Sequence, residues 1–209
     1  MLLDPYDALG GDLLVHIFSF LDAPTLLLCS HVSRCWQDCA ADDRLWQQLA
    51  EMEWADKVYV GPAGQRTDLP WRQRFLLAEA DLQRTAITVE ELCAFRWTFR
   101  FKPQAGIYWL GLTAGLRMER LFSEDGSVSA PPDDALWGEH ESRWRFCKTR
   151  DGVRGHYVKI NHWPSLDCSR TTGGGWRMQN IWVIYEAILP QGGPYSHGLH
   201  HGLARHLTG

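Results

Sequence analysis

The sequence predicts an α+β protein: a three-helix head, a connecting helix, and then an antiparallel β-barrel or β-sandwich. Three observations carry this. Through Leu13 to Trp54 apolar residues recur three or four apart, the spacing of a helix with a buried stripe. From Arg96 onward they alternate one by one with polar residues, the spacing of a strand with one buried face. Asp125-Gly126 and Asp151-Gly152, both tight-turn dipeptides, fall between such runs.

The head begins with LLVHIFSFL, residues 13–21, where only His16 and Ser19 are polar. Leu13, Ile17, Phe20 and Leu21 make one stripe, and Leu14, Val15 and Phe18 widen it well around the cylinder. A helix this apolar needs a cover on two sides. Asp12 is its expected N-cap, and Asp22-Ala23-Pro24 ends it. Pro24 fits the first turn of a second helix, which is expected to carry Leu26 to Cys29 and then Val32, Cys35 and Trp36. A third holds Leu45, Trp46 and Leu49.

The segment 57–93 is expected to be a linker loop followed by a connecting helix. Gly61, Pro62, Gly64 and Pro70 break regular structure first; Phe75, Ala78 and Leu82 then return to helical spacing. Thr88 and Glu91 have the spacing of a capping box. Residues 94–190 read as a β domain of six to eight strands, among them RWTFRF, RWRFCK, HYVKIN and NIWVIYEAI. The tail, 191–209, is rich in Gly and His and is expected to be loose.

Composition narrows the class. Of 209 residues 45% are hydrophobic and 22% charged, as in a folded globular chain. No apolar run approaches the roughly 18–20 residues that span a membrane, and the acidic N-terminus does not resemble a secretory leader. The expectation is an intracellular protein, cytoplasmic and/or nuclear, without membrane contact. The six cysteines show no paired zinc spacing and read as buried free thiols. Charge is uneven: residues 1–56 hold ten acidic residues against Arg34 and Arg44, whereas the remainder is mildly basic.

The head, from Leu9 through LLVHIFSFLD, the Leu26-Leu27 pair, Val32, Arg34-x-Trp36 and DDRLWQQL to Trp54, resembles an F-box. With no WD or leucine-rich repeat behind it, the chain is similar to the "F-box only" group. The resemblance implies a small helical module, residues 1–56, that docks on the Skp-family adaptor of SCF ubiquitin ligases. It brings cullin and RING subunits indirectly. Leu9, Gly10, Leu13, Ile17, Phe18, Leu21, Leu26 and Val32 are the implied adaptor-binding residues, with Trp36 and Trp46 bracing the module. Gly10 stands where the family usually has Pro, and with Gly11 it leaves the leading segment freer.

In the β domain, Arg96, Arg100 and Lys102 share one strand face, as do Arg143 and Arg145, with Lys159 on a later strand. These are the candidate target-binding residues, suited to an acidic or phosphorylated protein target through Arg–oxyanion pairs. Nucleic acid is disfavoured beside it, and a plain solvated sheet face is the simplest account of the alternation. Trp109, Tyr157 and Trp163 are possible contact residues. Gly173-Gly174-Gly175 reads as a hairpin turn, since no helix follows to hold a phosphate. The histidines of the tail lack partners for a metal site. Cys147 or Cys168 with His156 or His162 is a nucleophile–base pairing possible on paper, but sequence spacing cannot place them together. No catalytic residue, metal or cofactor is expected. The function implied is substrate recognition for an SCF-type ligase; a non-degradative scaffold and a ligand- or RNA-binding β module are the alternatives.

Overall fold

The computed structural model describes residues 4–114, 116, 118–132, 134, 136, 141–150 and 152–188. The chain divides into two units, Met1–Asp81 and Leu82–Gly209. The tail expected at 191–209 lies outside the described residues, as do its histidines.

In the first unit, α1 (Pro5–Leu9), α2 (Gly11–Phe18), α3 (Ala23–Cys29), α4 (Arg34–Ala40) and α5 (Asp43–Glu53) follow in close succession. Most starts are written locally. Asp22 accepts from the Thr25 amide ahead of Pro24, and Asp42 accepts from the Arg44 amide. The second expected helix is two helices, because the Ser33 hydroxyl accepts from the Trp36 amide at 3.3 Å and starts a new one at Arg34. The start of α2 also differs from expectation. Gly10 is its N-cap, and Asp12 lies within the first turn, where its charge still suits the helix dipole.

Leu14, Phe18, Leu26, Leu45, Trp46 and Leu49 form the core of this unit. Trp46 is wholly buried and donates its indole N–H to the Ala40 carbonyl at 2.8 Å. A short α6 (Gly61–Gly64) interrupts the expected loop. The helix expected as a connector, α7 (Trp71–Leu82), is instead part of the first core. Phe75 packs with its ring centroid 5.6 Å from that of Trp46 and stacks on Trp54 at 6.0 Å. Its apolar stripe is used up against the head, so 57–81 is not a linker.

The second unit opens with α8 (Val89–Ala94), started by the expected Thr88–Glu91 capping box. Eight strands follow: β1 (Arg96–Phe101), β2 (Met118–Phe122), β3 (Ser127–Ser129), β4 (Ser142–Phe146), β5 (Tyr157–Ile160), β6 (Leu166–Arg170), β7 (Trp176–Gln179) and β8 (Val183–Ile188). Each pairs antiparallel with the next, and β8 returns to β1 over the register Arg96↔Ile188 to Phe101↔Val183, which closes the barrel. Closure gives each described strand a neighbour on both sides. The interior takes alternate residues: Trp97 and Phe99 from β1, Val158 and Ile160 from β5, Trp176 and Met178 from β7. Between β1 and β2 sits a further helix, α9 (Ile107–Leu112), for which the sequence offered no cap or period.

In a meander of this kind the connections fall alternately at the two ends. One end is plugged. There α8 sets Leu92 and Phe95 inside, Trp97 donates its indole N–H to the Leu92 carbonyl at 2.9 Å, and Ile87 bonds Gly155 of the β4–β5 loop. Gly173 to Gly175 make the β6–β7 turn at this end, as expected, closed by the Thr171 amide on the Gly175 carbonyl. All six cysteines are free.

Candidate functional site

Two surfaces have the makings of binding sites, one in each unit. In the first, α2 has two apolar sides. Leu14 and Phe18, four apart, face the core. Leu13 and Ile17, also four apart, face solvent at 46% and 42% exposure, continuing a row from Leu9 at the end of α1 to Phe20. Leu28 and Val32 extend the exposed apolar surface along the chain. Single exposed hydrophobics are ordinary; a contiguous set on short helices marks an interaction surface.

The predicted adaptor-binding residues therefore split. Leu9, Gly10, Leu13, Ile17 and Val32 are exposed, and Leu21 is half-buried against the core. Phe18 and Leu26 are 2% and 0% exposed and belong to the interior, so these two brace the surface from behind. Phe20 and Leu28 stand out further than any of the predicted apolar side chains yet fall outside the predicted set.

The predicted target-binding cations also divide. On β1, Arg96 pairs with Glu119 of β2, and Arg100 lies 3.6 Å from Glu186 of β8, which also takes Arg177 at 2.8 Å. Lys102 donates to the Gln179 side chain at 2.7 Å. Arg143, Arg145 and Lys159 sit on β4 and β5, three and four strands further round, with Arg145 directly across from Lys159. The structure does not bring these six together. Those on β1 are largely matched by cross-strand carboxylates, each pair worth about 0.2–1 kcal/mol.

Among the described residues, the end of the barrel away from α8 is open. Described residues of its four connections, β1–β2, β3–β4, β5–β6 and β7–β8, line a cavity of about 400 Å³. Phe101, Trp109, Trp163, Leu166 and Val183 supply apolar wall, and His162 stands at the mouth. Around it Ile107, Tyr108, Leu112, Ile181 and Trp182 are exposed. Trp109 and Trp163, singled out from composition, thus meet at one place; Tyr157 does not line the cavity. The buried Arg120 faces inward, paired with Asp134 and with its guanidinium 5.1 Å from the Phe99 ring.

A catalytic reading finds little. Burial pushes the Cys168 thiol up to about 12, so it stays protonated at neutral pH. Cys147 has its sulfur 3.3 Å from the Ser165 hydroxyl, not on a histidine.

Comparison with known proteins bears on the first unit. The family model described as F-box-like matches residues 12–51. The chain carries an F-box-like domain. A protein named F-box protein At5g52880, from Arabidopsis thaliana, is 34% identical over 68 residues, 32% of this chain and 24% of that protein. The chain thus spans about a quarter of the length of this relative. F-box domains as a class bind Skp-family adaptors of SCF-type ligases, and F-box proteins are generally non-catalytic. The exposed row Leu9, Leu13, Ile17 and Phe20 lies in or just before the matched residues.

The F-box of this chain also explains its Gly10. That residue has φ +77°, closes α1 by donating to the Tyr6 carbonyl at 2.9 Å, and starts α2. Proline, fixed near φ −65° and lacking an N–H, satisfies neither demand. The leading segment is instead tied by Asp4, which accepts from the Tyr6 amide and the Trp36 indole, each at 2.9 Å. Restoring the family's usual residue with Gly10→Pro is therefore expected to harm this chain. Thermal unfolding followed by circular dichroism should show a loss of about 2–3 kcal/mol; an unchanged or raised midpoint would contradict this geometry.

Proposed function

We propose that this chain is a substrate-recognition subunit of an SCF-type ubiquitin ligase, working in the cytoplasm or nucleus. The F-box docks on a Skp-family adaptor through Leu9, Leu13, Ile17, Phe20, Leu28 and Val32, and the adaptor brings the cullin and RING subunits. The observation that carries this reading is the two-sided α2: its inner side already fills a core, and its outer side is left apolar and exposed. Burying each such side chain is worth about 1.5–3 kcal/mol relative to exposure.

The protein target is held by the barrel. Its open end, ringed by Ile107, Tyr108, Trp109, Trp163 and Trp182, supports this better than the basic strand faces, because aromatic residues dominate interface energetics while the β1 cations already have partners. The mechanism is proximity: a held target lysine meets a charged conjugating enzyme at high effective concentration, and this chain makes and breaks no bonds. Purification of the full chain with its bound proteins, quantified for adaptor and cullin, tests the reading. Adaptor and cullin together are expected. Adaptor that persistently lacks cullin would favour the scaffold reading, and no adaptor would refute both.

A further inference from the structure

We infer that the barrel interior is a binding site for a small organic molecule with an apolar, ring-containing body and a hydrogen-bond acceptor at its inner end. An eight-stranded barrel is just wide enough to hold side chains or one small ligand. Here the side chains leave about 400 Å³ open to the mouth, within the range of about 300–1,000 Å³ typical of small-molecule sites.

Tyr185 sets the polarity of the inner end. It lies on β8 two residues deeper than Val183, lines the cavity, and is 3% exposed. Its ring packs 5.0 Å from Phe99 and 6.2 Å from Phe122, between centroids. Its hydroxyl has no hydrogen-bond partner among the described residues. A buried phenol ordinarily has one. Burial pushes this phenol up, so it stays protonated and offers an O–H. The neighbouring Arg120 is paired with Asp134, and the Tyr185 hydroxyl adds an O–H donor at the same inner end.

Of the other polar groups lining the cavity, His162 and Glu141 stand at the outer rim, and the two asparagines are already committed. The Asn161 carbonyl oxygen accepts from the Arg143 amide, and its nitrogen donates to Ser142. Asn180 accepts from the amides of Trp182 and Val183 and donates to the Pro164 carbonyl. A peptide backbone entering the cavity would find few partners for its N–H and C=O groups, at a cost of about 1–3 kcal/mol each. A small molecule with one inner acceptor avoids that cost. The site uses no F-box residue and stands apart from the adaptor reading.

Two probes with the same aromatic body test it on the full chain. These are 8-anilinonaphthalene-1-sulfonate, which carries acceptor oxygens, and N-phenyl-1-naphthylamine, which lacks them. In fluorescence titrations each is expected to bind once per chain. Tyr185→Phe, which keeps the ring, should weaken the sulfonate at least fivefold and leave the amine within twofold. Ile160→Phe, filling the cavity from β5, should weaken both at least tenfold, with circular dichroism confirming the fold. Absence of binding would overturn the inference. So would equal losses for the two probes in Tyr185→Phe, or binding that Ile160→Phe leaves unchanged, which places the probes on outer apolar surface.

Discussion

Leu13→Asp/Ile17→Asp is expected to weaken adaptor binding by at least 100-fold while leaving the fold intact. Both side chains are nearly half exposed on the outer side of α2, so in the free chain the aspartates remain in water and cost only helix propensity, about 0.5 kcal/mol each. In an apolar interface the same two charges must be desolvated without partners, at a cost of several kcal/mol. About 1.4 kcal/mol corresponds to tenfold in affinity, so the loss compounds quickly. Phe18→Ala is the informative contrast. Its side chain packs in the core with its ring 5.3 Å from Trp36, so the expected result is a drop of about 3–5 kcal/mol in stability of the first unit. Calorimetric titration with a purified Skp-family adaptor, beside thermal unfolding, separates the two outcomes. Tight binding by the double aspartate variant would show that the exposed row is not the interface.

Glu91→Ala is expected to cost the barrel unit about 3–5 kcal/mol, the scale of breaking a buried ion pair from one side. Glu91 is 3% exposed and fully used. Arg84 reaches both its oxygens at 2.6 and 2.7 Å, the Thr88 amide donates at 3.1 Å, the Trp176 indole at 3.2 Å, and Arg170 lies 3.6 Å away. Removing the carboxylate leaves two guanidinium groups and an indole N–H facing an empty space at the plugged end. Burial by itself would raise the Glu91 carboxyl, but the Arg84 and Thr88 hydrogen bonds outweigh it and hold the group below its ordinary 4.5. A carboxyl lowered by folding contributes stability that is fully present above the unfolded value and is lost as pH falls through the folded one. Urea midpoints of the wild-type chain should thus fall below about pH 4.5, and Glu91→Gln should be less stable at pH 7 with a flatter acid limb. A Glu91→Gln profile parallel to wild type would place the acid sensitivity elsewhere.

Local signals were legible in the sequence. The Thr88–Glu91 capping box, the Pro24 helix start and the period of two through Trp97 and Phe99 are each settled by neighbours a few residues apart. What escaped reading depends on residues far apart. Closure into a barrel rests on β1 meeting β8 across most of the unit, which no local pattern encodes. Ile17 and Phe18 are adjacent and both apolar; which one faces out depends on where α3 to α5 sit. The β1 cations looked free because their partners, Glu119 and Glu186, are on other strands. Arg120 shares its strand face with Met118 and Phe122 and therefore points inward, a placement its charge argues against until Asp134 is found beside it. The α7 stripe was visible, but not that it covers Trp46 and Trp54 instead of linking two units. The cavity likewise arises from four loops that share an end of the barrel only once the sheet has closed.

Amide hydrogen exchange on the full chain, with and without a saturating Skp-family adaptor, tests the central claim most directly. Adaptor docking on the outer side of the F-box should slow exchange across residues 9–32 and leave the barrel strands β1 to β8 unchanged. Protection confined to the barrel, or none within residues 9–32, would contradict the assignment of the exposed apolar row to the adaptor.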